Sequence, residues 1–124
     1  MGSTERPRSL IAATVHHLAE PVGREILAFF GDRVDPLLAQ AGGPPLAVLQ
    51  TEPAPNTFRA LPVREGEHVL VRVARFDDVD HHAAHLERLA RSPAWHEVQR
   101  DLQRRLRAPS QHLRLRPTGR SLLR

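Results

Sequence analysis

A chain of 124 residues has room for one domain around one hydrophobic core, and a 40% apolar share with only 4% aromatic residues leaves few large side chains to fill it. The absence of cysteine excludes disulfides and thiolate chemistry. Formal charge is +4, all 18 basic residues are arginine, and no apolar run approaches the ~20 residues that span a bilayer, so a cytoplasmic protein without a membrane segment is expected.

The polar leader over 1–8 carries no signal-type hydrophobic block. Ser9 to His17 then alternates as a strand, with Ile11, Ala13 and Val15 on one face and Leu10, Ala12, Thr14 and His16 on the other. After the break at Glu20-Pro21-Val22-Gly23, apolar residues from Val22 to Ala41 recur at steps of three and four, the stripe of an amphipathic helix. Gly42-Gly43-Pro44-Pro45 ends it, and Pro36 inside the pattern predicts a bend.

Leu46 to Thr51 reads as a second strand, followed by a proline-bearing connection over 52–66 that is too long for a hairpin turn. Glu67 to Phe76 is the strongest strand of the chain. Val69, Val71 and Val73 share one face; His68, Leu70, Arg72, Ala74 and Phe76 share the other. Asp77 and Asp78 supply a cap and negative charge to a helix whose expected buried stripe is Val79, Ala83, Leu86, Leu89 and Ala90. Ser92-Pro93 restarts the helix, Trp95, Val98, Leu102 and Leu106 continue its stripe, and Pro109 closes it. Ser110 to Arg116 is a last strand with His112 and Arg114 on one face and Leu113 and Leu115 on the other, before a short tail over 118–124. Strand, helix, strand, strand, helix, strand makes two βαβ halves. Over 9–117 they predict an α+β, ferredoxin-like βαββαβ sandwich, a four-stranded antiparallel sheet with helices on one face.

The segments Thr51-Glu52-Pro53-Ala54-Pro55-Asn56, Leu61-Pro62-Val63-Arg64-Glu65-Gly66-Glu67 and Ser92-Pro93-Ala94-Trp95 resemble the NIPSNAP family of dimeric α+β barrel proteins. The likeness extends from about Leu10 to Leu123. It implies a homodimer whose sheets meet face to face around a barrel, with the helices outside. The wider superfamily includes antibiotic-biosynthesis monooxygenases, polyketide cyclases, lactone isomerases and haem-handling enzymes, so the fold does not dictate the chemistry. Arginine without lysine, beside abundant Ala, Pro and Leu, suits a GC-rich bacterial genome. The resemblance therefore implies a bacterial small-molecule enzyme of secondary metabolism. It would act on a hydrophobic aromatic or polyketide-like substrate by cofactor-independent proton transfer, cyclisation or oxygenation. A non-catalytic ligand-binding or interaction protein of the same fold, or a haem-binding member, are the alternatives.

With Val69, Val71 and Val73 turned to the helices, the barrel interior receives His68, Leu70, Arg72 and Phe76 from the strongest strand. The more polar faces elsewhere add Thr14, His16, Gln50, His112 and Arg114. Histidine can move a proton near neutral pH, and arginine can hold a carboxylate, phenolate or enolate while charge shifts. His16 or His68 is the expected acid/base and Arg72 the expected anion stabiliser, with Thr14, Gln50, Leu70, Phe76 and Arg114 as ligand contacts. The competing reading makes them strand-end or interface residues satisfied by hydrogen bonds or water. His81-x-x-x-His85 has the spacing of a shared metal pair, yet no further ligand completes it, so a solvated helix face is expected and no cofactor or metal. Arg100, Arg104, Arg105 and Arg107 crowd one helix without a nucleic-acid motif, which favours a solvated face or an acidic-partner patch over nucleic acid.

Overall fold

A computed structural model describes residues 9–51 and 68–116. The leader over 1–8, the connection over 52–66 and the tail over 118–124 lie outside the described residues. The elements are β1 (Leu10–Leu18), α1 (Arg24–Phe29), a π-helical turn (Phe30–Val34), α2 (Asp35–Gln40), β2 (Pro45–Gln50), β3 (His68–Phe76), α3 (Val79–Ala90), α4 (Pro93–Gln103) and β4 (Gln111–Leu115). The four strands form one antiparallel sheet in the order β2-β3-β1-β4. This is the ferredoxin-like α+β architecture that the element order predicts.

The local signals act where the sequence puts them. Asp78 caps α3 by accepting from the His81 backbone N–H at 2.8 Å, and Ser92 caps α4 by accepting from that of Trp95 at 3.1 Å, with Pro93 opening the helix. Gly23 opens α1 without a side-chain cap. Because Pro36 has no N–H to return to the preceding turn, the bend before it takes the form of the π-helical turn. That turn sends Phe30 and Val34 into the core with Phe29.

Two expectations about facing are corrected. Leu70 and Phe76, not the valines, lie against the helices: they are 0% and 1% exposed, and Leu70 joins Leu18, Phe30, Val98 and Leu102 in the core. Val69, Val71 and Val73 lie half-buried on the sheet's other face. The reason is bulk and pairing. Leu10 and Leu18 of β1 sit beside Phe76 and His68 of β3, so the large side chains gather on the face that also carries Arg72. The second correction concerns α3. Its inward stripe is His82, His85 and Leu89, while Val79 and Leu86 are 43% and 50% exposed. The histidine face is therefore not solvated.

That rotation follows from hydrogen bonding at the end of α2. Gly42, at φ +95°, takes the left-handed conformation, and the Gly42 and Gly43 N–H groups close back on Ala39 and Leu38 in a Schellman cap. The carbonyls left over are met by α3. His81 Nε2–H donates to Gly42 O at 3.0 Å, His85 Nδ1–H to Ala41 O at 3.0 Å, and Arg88 to Ala41 O at 3.3 Å.

Candidate functional site

Strand register sorts the helix-covered face of the sheet into cross-strand rows. Arg114, Ala12 and Ala74 stand side by side, then His112, Thr14 and Arg72, then His16 beside Leu70. Two alanines in one row leave space that the larger neighbours would fill. Over that row and the next lies a cavity of about 730 Å³, between the sheet and α3 and α4, with Phe76, His82, Leu89 and Trp95 among its walls. A volume of this size suits a drug-sized molecule.

His16 and Arg72 are among the residues that line the cavity. His16 is 4% exposed, its Nδ1 lies 2.7 Å from Ser110 Oγ, and its ring packs 5.1 Å from that of Phe30. Burial, then the positive charge of Arg72 and the neighbouring His112 and His17, lower its pKa to about 4, so the imidazole is neutral at physiological pH. In the tautomer whose Nδ1–H donates to Ser110, Nε2 keeps a lone pair, and this nitrogen has no partner among the described residues.

Arg72 is 7% exposed and forms an ion pair with Asp35 from the first turn of α2, while its guanidinium lies 5.2 Å over the Phe30 ring. Burial lowers its pKa to about 10, which leaves it charged. Its Nε–H is also without a partner among the described residues. A buried acceptor and a buried donor, both without a partner among the described residues, thus belong to two side chains that line one cavity.

Of the residues expected in the site, the structure brings together His16, Arg72, Thr14, Phe76, His112 and Arg114 on the cavity wall. It leaves out three. His68 lies at the far end of β3, by a separate small pocket with His17, Leu18 and Arg107. Leu70 is sealed in the core, and Gln50 is exposed on the edge strand β2. His82, His85, Trp95 and Ser110 line the cavity as well, and sequence reasoning missed them as site residues. The spacing 82, 85, 89 was a readable inward stripe, whereas Ser110 lies 94 residues from its partner His16 with no local signal. Among the described residues no group of three or more potential ligands could hold a metal ion.

The fold and cavity define a class, the ferredoxin-like α+β sandwich with a ligand-sized space between sheet and helices. Within it, the fold is that of NIPSNAP family proteins. A NIPSNAP family protein of unknown function from Agrobacterium tumefaciens superposes with a TM-score of 0.75 at 14% identity, covering 97% of this chain and 97% of that one. A NIPSNAP domain protein from Burkholderia xenovorans gives 0.69 at 19% identity, over 90% and 97% of the two chains. SnoaB, a cofactor-independent oxygenase from Streptomyces nogalater, gives 0.57 at 16% identity, over 94% and 97%. No protein-family sequence model matches the chain, and no curated protein does.

Proposed function

We propose that this protein is a bacterial, cytoplasmic enzyme of secondary metabolism that takes a hydrophobic aromatic or polyketide-like molecule into the cavity between sheet and helices. It acts there by cofactor-independent proton transfer, cyclisation or oxygenation. The observation that carries this reading is that His16 and Arg72, each with a buried nitrogen lacking a partner among the described residues, line an otherwise largely apolar space. The description of SnoaB as a cofactor-independent oxygenase on the same fold supports it.

The chemistry follows from the charges. A proton taken up by His16 places an imidazolium beside the Arg72 guanidinium, an arrangement that burial and the Arg72 charge both oppose. It becomes favourable when the substrate leaves an enolate or phenolate between the two cations, with the Arg72 Nε–H donating to its oxygen. His16 is then the acid/base and Arg72 the anion stabiliser; His68, outside this cavity, takes no part.

A homodimer belongs to the same reading, formed through the sheet face that the helices leave uncovered. The test is turnover. Incubated in air with a hydroxylated anthrone and no added cofactor, the protein should convert it faster than buffer does, with product mass distinguishing oxygenation from rearrangement. His16→Ala should slow conversion about 100-fold. Equal rates in the two proteins would remove His16 from the chemistry, and tight binding without conversion would reduce the protein to a ligand carrier.

A further inference from the structure

Among the described residues, every titratable side chain on the cavity wall is an arginine or a histidine. The two arginines differ. Arg72 has its charge met by Asp35, whereas Arg114 forms no ion pair among the described residues. Arg114 stands in the row with Ala12 and Ala74, where the small side chains open the floor, and Phe76, Leu89 and Trp95 are among the cavity's apolar walls. Its positive charge also reaches His82, whose pKa it helps burial to lower.

From these placements we propose that the cavity selects an amphiphilic anion: a planar apolar body bearing one carboxylate, with the carboxylate on Arg114 and the body running toward Arg72 and His16. This rests on the reading of the cavity as a ligand site and adds the ligand's charge and polarity of entry. The Arg114 row and the His16 row are four strand residues apart, so anchor and reactive end are separated by about 13 Å along the sheet. A molecule of two or three fused rings spans that distance with its side chain. An apolar cation would meet the uncompensated positive charge of Arg114, and a neutral molecule would leave Arg114 unengaged. A carboxylate gains a charge-assisted, two-pronged hydrogen bond from the guanidinium fork.

Calorimetric titration with 2-naphthoate and its neutral isostere 2-naphthamide at pH 8 tests the assignment. The acid should bind about tenfold more tightly than the amide, as one charge-assisted pair on a partly exposed arginine gives. Arg114→Gln should bring the acid down to the amide's affinity and leave the amide unchanged, which also shows that the cavity is intact. Arg114→Lys should restore part of the preference. Equal affinities in the natural protein, or a preference that survives Arg114→Gln, would overturn the anion assignment while the cavity reading stands. Failure of both probes to bind would overturn the two together.

Discussion

Three buried histidines give the protein a stability that depends on pH in one direction. The His16 pKa of about 4 in the folded chain lies below the ordinary value of 6.5, so between these the unfolded chain binds the extra proton. The stability that neutral His16 contributes is complete above pH 6.5 and is lost as pH falls through 4, a total on the order of 3 kcal/mol. Burial lowers the His82 and His85 pKa values too, the hydrogen bond to Ala41 opposing it at His85, so both act in the same sense. Urea unfolding at pH 7 and pH 5 should show a clear loss in the natural protein and a smaller one in His16→Asn; equal losses would mean that His16 is not held neutral. The Arg72–Asp35 pair obeys the asymmetry of buried charges. Asp35→Ala leaves the arginine unpaired and should cost about 3–5 kcal/mol in the same measurement, while a second change, Arg72→Met, should recover much of it. An unchanged unfolding midpoint in Asp35→Ala would show that Arg72 does not depend on that partner.

At the scale of elements, the junction between α2 and α3 holds the cavity's roof in place. A Cβ on Gly43 would come within 2.5 Å of His85 Cε1 and 2.8 Å of Phe76 Cζ, so Gly43→Ala must push a ring that is packed on other rings. Thermal unfolding should show a loss of about 1–3 kcal/mol, and a fully stable variant would mean that α3 can lift at little cost. This junction also explains what could be read from the chain beforehand. Strand and helix order, the Asp78 and Ser92 caps and the bend at Pro36 rest on short-range patterns, and all are present. The side of the sheet that the helices cover is a long-range property. Arg72 and His16 looked like residues of an uncovered face because their partners, Asp35 and Ser110, stand 37 and 94 residues away. The spacing of His82, His85 and Leu89 is readable in the chain, but that this stripe rather than the Val79–Leu86 one turns inward is not, since the acceptor that draws His85 inward is a carbonyl at the end of another helix.

Turning the sheet over changes what the whole molecule requires of a second copy. An enclosed space between two sheets would need the dimer in order to exist. The cavity found lies within one chain, between its own sheet and helices, so binding and association become separable properties. Among the described residues, the face that the helices leave uncovered is nonetheless strongly apolar. Val69, Val71 and Val73 run down its middle, and Leu49, Leu113 and Leu115 stand 58%, 50% and 48% exposed on the flanking strands, in register with Val71, Ala13 and Ile11. A continuous surface of this kind is rarely left to water in a stable protein, and a second sheet packed about 10 Å away would cover it. Light scattering should therefore give a mass near twice 13.9 kDa. Val71→Glu, which plants a charge at the centre of that face, should give a single chain that still binds 2-naphthoate, because no part of the cavity described here comes from a partner. A dimer that persists in Val71→Glu would place the interface on another surface, and a monomer that has lost the ligand would mean that the partner shapes the cavity after all.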